Sequence, residues 1–402
     1  MHSALVCIAF LALAVSTSAA MPNVDDILAS GNFADGIVAL NAQLQEQPQD
    51  DNARFGLGLV QFAQAVQRLG QRLAAYEFQT YDITELKDIL PVATVPAEPL
   101  TYPTLRQILQ DWLDGLTQVD ATLAKIANDE TKVAIRVGRI SLNLGSRPIR
   151  LKALTPTINK LGFGVRISDE DLAIAFDRAD VDLLRSGCHC LLALGEIGMA
   201  HDAQSLFDVS AHLFFKHVKT PHAFLLEQHH HTNDKFSFDP FLDLLAFVHM
   251  LRLPVIEPKR MEVALGHLEQ VLTLNRQMWQ RILAETDDDR EWIPNPRQTS
   301  AVKVDLDQEM IDNWLRVLTK IEPILQGQKL IPFWRGKPTR GINLRRVFLN
   351  PIQLDLVLWI QGTAATPYLE EGDLAEPELL LQFGEGFAGQ SQWFLGGFSE
   401  LP

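Results

Sequence analysis

Residues 104 to 126 read TLRQILQDWLDGLTQVDATLAKI and place Leu105, Ile108, Leu109, Trp112, Leu113, Leu116, Val119, Leu123 and Ile126 mostly three or four positions apart. An α-helix turns once per 3.6 residues, so these side chains share one face that must be covered. Two further stripes follow the same period. Residues 259 to 284 carry Met261, Leu265, Leu268, Leu272 and Ile282, and residues 307 to 325 carry Met310, Trp314, Leu318, Ile321 and Leu325. Asp239-Pro240 starts another helix, FLDLLAFVHMLRL, because proline is tolerated in a first turn, and Pro254 ends it. Amphipathic helices of this kind gain stability by packing on one another. A chain of 402 residues, 47% of them apolar, can bury a sizeable core. The expectation is a mainly α body.

The segment DDILASGNFADGIVALNAQLQEQPQDDNARFGLGLVQFAQAVQRLGQRL sets Gly31-Asn32-Phe33 between two helical patterns. Leu40 and Leu44 keep helical spacing, Pro48 closes the second helix, and Leu57-Gly58 recur in the next. This segment resembles the tetratricopeptide repeat in Gly31, Phe33, Gly36 and Pro48, over residues 24 to 77. Gly36 stands where that repeat usually has alanine. The resemblance implies helical hairpins with a concave face that takes a peptide or protein. About one and a half repeats are covered, so the segment either caps a larger helical body or forms a divergent helix pair.

Ahead of it, Leu5 to Val15 form an apolar run of eleven, followed by small residues including Ser18 and Ala20. Eleven residues are too few to span a bilayer, which takes about 20. The run reads as a signal peptide over residues 1 to 20, although no Lys or Arg precedes it. The expected location is periplasmic or secreted, with no transmembrane segment in the mature chain. Its removal leaves Cys188 and Cys190, which point apart on a helix and form no disulfide framework. A formal charge of −15 repels phosphate backbones, so nucleic acid is not an expected partner.

The expected organisation is a tetratricopeptide-like segment over 21 to 90, a proline-rich linker over 91 to 103, a helical domain over 104 to 325 and an α+β region over 326 to 402. Thr104 and Gln107 offer a capping box, and Ser168 with Asp171 offer a second. Alternation of Val133, Ile135 and Val137 with Ile140, Leu142 and Leu144 predicts a short β-hairpin near 132 to 144. Gly187, Gly195 and Gly198 suggest close helix contacts. LDLVLWIQG, near the end, reads as a buried strand or short buried helix.

Two clusters carry candidate chemistry. FWRGKPTRGINLRR, residues 333 to 346, sets Trp334 beside Arg335, Arg340, Arg345 and Arg346, which could clasp a carboxylate, phosphate or sulfate. The competing reading pairs this basic stretch with the tail after it, which holds eight acidic and no basic residues from 355 to 402. The second cluster is His201, Asp202, Asp208 and His212. His201-Asp202 is similar to the metal-binding pair of HD hydrolases, and His201, Asp208 and His212 would share a face of one continuous helix. The spacing from His201 to His212 is about 16 Å along such a helix, too far for one ion, and the turn after Met199 breaks it, with Asp202 as a cap.

Other features read as structural. His217 and His222 flank Pro221, His229 to His231 read as a solvated loop, and His249 reads as a core histidine. TDDDREW, residues 286 to 292, suggests calcium but lacks the EF-hand glycine and final glutamate; an oxygen-ligand site stays open, and the favoured reading is a solvated helix exit. GEGFAG, residues 384 to 389, leaves too little chain after it for a nucleotide fold. The functional expectation is an exported binding or scaffold protein for a protein, peptide or small anionic ligand, with no catalysis assigned. The alternative is a metal-assisted hydrolase using the His/Asp cluster with a divalent metal. No other cofactor is expected.

Overall fold

A computed structural model describes residues 23–78, 98–145, 148–153, 172–227, 239–289, 291–301 and 306–376. The 1–20 signal segment, most of the 91–103 linker, Ser168-Asp171, His229 to His231 and GEGFAG lie outside the described residues. The protein is mainly helical, with a few short strands in small antiparallel sheets.

Three helices open the chain: α1 (Val24–Ser30), α2 (Phe33–Glu46) and α3 (Asp51–Ala75). Gly31 joins the first two with φ 72°, in the left-handed region that side chains disfavour. A Cβ there would also sit 3.1 Å from the Ser141 carbonyl oxygen. Gly31→Val therefore lowers stability by about 1–2 kcal/mol, read as a reduced urea midpoint. An unchanged midpoint would show that the turn relaxes.

Helix α4 (Tyr102–Leu123) starts earlier than the Thr104 box suggests: Thr101 accepts from the Thr104 amide at 3.3 Å, and Pro103 sits in the first turn. Pro103 has no N–H to donate, so the cap fits ahead of it. The chain then forms β1 (Val133–Arg136), β2 (Ser141–Asn143), β3 (Pro148–Arg150) and β4 (Ala173–Phe176). The expected 132–144 hairpin is not formed. A 3₁₀ turn at Val137–Arg139 separates β1 from β2, so β1 pairs antiparallel with β4 and β2 with β3. Alternation marks strands but not partners, and these partners lie further along the chain.

Helix α5 (Arg178–Ala200) follows, opened by an Asp177–Asp180 capping box. Then come α6 (Gln204–Phe214), α7 (Asp239–Met250), β5 (Arg252–Leu253), α8 (Pro258–Ala284) and α9 (Gln308–Leu325). The last part holds β6 (Ile331–Pro332), β7 (Arg340–Ile342), α10 (Leu344–Leu349), β8 (Leu354–Asp355), α11 (Leu356–Gln361) and β9 (Leu369–Glu371). LDLVLWIQG thus becomes β8 and α11, but none of α11 is buried, and Ile360 is 68% exposed. No helix among the described residues is long and apolar enough to cross a membrane.

The helical stripes pack in sequence: α2 on α3, α3 on α4, α4 on α5, and α5 on α8. One core joins Leu28, Phe33, Leu40 and Val60 to Ile135, Leu142, Ile149 and Ile174 of the small sheets. A second joins Phe55, Leu113, Leu116, Val119 and Leu123 to Val181, Cys188 and Leu192. Gly195 meets Leu113 closely, whereas Gly187 and Gly198 face open space. Arg106 bonds the Met199 and His201 carbonyls and Glu257, so a cation satisfies the end of α5 and joins α4 to the start of α8.

Candidate functional site

A cleft of ≈ 410 Å³ lies between α3 and α4. On α3 it is lined by Gln61, Gln64, Arg68, Gln71 and Arg72, whose spacing puts them along one face. Across from them stand Asp111, Trp112, Asp114, Gly115 and Gln118 of α4. The helices approach closely where Gly115 faces Ala65: a Cβ on Gly115 would lie 3.1 Å from the Ala65 Cβ. Gln71 is fixed by donating its Nε2 to the Asn143 carbonyl at 2.8 Å. Gln107 and Gln110 donate to Asp111 and Asp114, which orders the acidic wall.

Gln61 is the unusual member of this cleft. It is 7% exposed, and its Oε1 is shielded from solvent with no hydrogen-bond partner. Such an acceptor costs about 1–3 kcal/mol until a donor reaches it. Amide side chains both donate and accept, as a peptide backbone does, and the two walls carry opposite charges. The cleft therefore suits a polar, extended ligand with N–H groups to offer. Its sequence signal is the run of glutamines at helical spacing, Gln61, Gln64, Gln67 and Gln71, which sequence reasoning passed over because it followed apolar residues.

The basic candidates are not gathered into one constellation. Arg345 turns to Glu269 of α8 at 2.8 Å and to the Leu325 carbonyl, while Arg346 pairs with Glu370 of β9 at 2.8 Å. Arg340 lies in β7, Trp334 packs on Phe333, and Arg335 is exposed. Lys329 and Lys337 pair with Asp373 and Glu371. Acidic residues just downstream thus take up part of the basic stretch.

The His/Asp candidates are not brought together either. His201 ends α5 and holds the Ile197 carbonyl through Nδ1 at 2.7 Å. Asp202 accepts from the Gln204 amide, and Asp208 accepts from the Gln204 side chain. His212 lies near the end of α6, and burial pushes its pKa down. The helix break between α5 and α6 removes the shared face on which the set depended, and these four form no three-ligand group. His249, expected in the core, is exposed on α7.

Sequence reasoning missed two titratable clusters. In the first, His189 of α5 and His267 of α8 contact each other Nδ1 to Nδ1 at 2.7 Å, and His189 Nε2 lies 3.4 Å from Asp120 of α4. Burial and the neighbouring imidazole lower the pKa of His267. This Asp–His–His chain can hold and share a proton. Among the described residues, no hydroxyl or thiol is hydrogen-bonded to His267.

The second cluster sits where α5 begins and α8 ends. Oxygens of Asp177, Glu285 and Glu291 lie within 4.8 Å of one another, as do those of Asp287, Asp289 and Glu291. The TDDDREW stretch is therefore not simply a solvated exit: it folds back, bridging Glu291 to Ser300, and leaves Glu291 3% exposed. Lys132 neutralises the outer group, reaching Asp287 at 2.7 Å and Asp289 at 3.0 Å. Burial and then Asp177 push Glu285 up to about 8 and Glu291 to about 7. Burial and Asp177 also hold Asp180 well above the usual carboxylate range.

Comparison of the chain with protein-family models, curated proteins and solved structures found no match.

Proposed function

We propose that the protein is an exported binding or scaffold protein that holds an extended peptide segment of a partner protein in the α3–α4 cleft, without catalysis. The observation that supports this reading is the buried, unpartnered Oε1 of Gln61 in the cleft wall. Turning the Gln61 amide toward the cleft lets a backbone N–H of a docked peptide supply the donor that Oε1 lacks. The surrounding glutamines can pair with further backbone groups, and Arg68 and Arg72 opposite Asp111 and Asp114 orient a ligand with charges of both signs. The tetratricopeptide resemblance agrees in kind, since α3 is its last helix. Export rests on the apolar run Leu5 to Val15.

Deleting residues 24 to 77 would strip Leu28, Phe33, Leu40 and Phe55 from the core, so point substitutions are the cleaner test. A displayed library of extended peptides is selected on the intact protein, and affinities are measured with purified peptide. Reversing the charge on α3 and adding a positive charge to α4, Arg68→Glu with Gln118→Arg, weakens binding at least about tenfold, or 1.4 kcal/mol. Gln61→Met weakens peptide binding while raising the stability of the free protein by up to about 1 kcal/mol, because it removes an unsatisfied buried acceptor. Failure to select any peptide, or equal affinity in all variants, would sink the reading.

A further inference from the structure

The structure points to a second site, independent of the cleft: we propose that Asp177, Glu285 and Glu291 bind one divalent cation of the calcium class, clamping the start of α5 to the end of α8. Three separate parts of the chain converge there. Asp177 caps α5, giving one oxygen to the Ala179 and Asp180 amides. Glu285 follows the last turn of α8. Glu291 is carried in by the loop that returns to Ser300.

Proximity of acids alone would mean little. The second observation is Glu291 Oε1, which is sealed from solvent and accepts no hydrogen bond although the residue is 3% exposed. A buried carboxylate oxygen with no donor is costly, and the nearest oxygens, on Asp177 and Glu285, are themselves acceptors. Asp177 accepts from two backbone amides and Glu285 from Gln298 Nε2 at 3.2 Å, so the oxygen left without a donor is Glu291 Oε1. One cation serves all three. The outer group has its own countercharge in Lys132, whereas no ion pair to Asp177 or Glu285 is present among the described residues.

The donor set decides the class of ion. It contains only carboxylate oxygens, with no imidazole or thiolate, which suits hard cations and disfavours zinc and copper. Calcium bonds oxygen at about 2.3–2.6 Å and tolerates irregular geometry, so ligand atoms up to roughly 4.8 Å apart can share it. Magnesium needs shorter, near-octahedral bonds. Glu285 is only partly buried, which leaves room for water to complete the shell.

The test uses the full chain, washed with chelator and titrated with CaCl₂, MgCl₂ and ZnCl₂ by calorimetry, with thermal melts in parallel. Expected is uptake of one calcium per chain, a melting temperature several degrees higher in 1 mM calcium, and weaker magnesium binding. Glu291→Gln and Asp177→Asn each weaken calcium at least tenfold, and asparagine keeps the helix cap so that the second variant folds. Asp287→Asn leaves the affinity within about twofold. No calcium uptake at 1 mM by the wild-type chain overturns the proposal. So does uptake that survives both inner substitutions but is lost in Asp287→Asn.

Discussion

Asp182→Ala is expected to lower stability by about 3–5 kcal/mol, the largest loss foreseen for a single polar side chain here. Asp182 is 0% exposed on α5 and meets two guanidinium groups, Arg178 at 2.6 Å and Arg281 at 3.0 Å. Removing the carboxylate strands Arg178, which is itself nearly buried, without its counter-ion. Arg281 fares better, because it also bonds Asp129. The loss therefore falls mainly on the α5 side of the α5–α8 contact. Urea denaturation reads it as a lower midpoint at an unchanged slope. The double replacement Arg178→Met with Asp182→Met recovers much of the loss, because it leaves no buried charge on that pair. A cost below about 1 kcal/mol for the single change would show that water reaches the pair.

In chelator, stability is expected to fall as pH rises from about 5 to 8, by about 1 kcal/mol per pH unit. The sign follows from the acidic cluster. Glu285 and Glu291 are held at about 8 and about 7, above the usual value near 4.5. Between those limits the folded chain binds more protons than the unfolded chain, so raising the pH favours unfolding. The slope stays well below the roughly 2.8 kcal/mol of two fully retained protons, because the two carboxyls interact, Glu285 is only partly buried, and solvent at the rim screens their charges. The groups facing one another are Asp177, Asp180, Glu285, Asp289 and Glu291, with Lys132 at the outer edge. His267 works oppositely: its lowered pKa favours the folded state above pH 6.5 and removes that benefit as pH falls below it. Melts across this range in chelator, repeated with Glu291→Gln, separate the two effects. A profile in which the wild type does not lose stability from pH 6.5 to 8 would refute the carboxylate account.

Helices α4, α8 and α9 were legible because each carries an uninterrupted apolar stripe, and a stripe needs no knowledge of its partner. Pro240, Pro48 and Gly31 likewise act through their own backbones, which is why the α7 start and the α1–α2 turn stand where the sequence puts them. The β1–β4 pairing was not legible, because alternation in Val133 to Val137 fits any neighbouring strand. The candidate sites fared worse. His201 and His212 lie on either side of the helix break expected after Met199, so their sequence spacing never made a site. Gln61, His189 with His267, and Asp177 with Glu285 and Glu291 lie on different elements or look ordinary on one. The signal for the acidic group was the TDDDREW run, but its missing member, Asp177, lies more than 100 positions away.

The amino-acid sequence alone determined that this chain is a mainly helical body, since periodicity and turn chemistry are local properties of the backbone. Tertiary structure decided which polar groups meet and which are left without a partner. Burial and distance between remote segments set the cost of an unpaired oxygen, and neither quantity is written in the order of the residues.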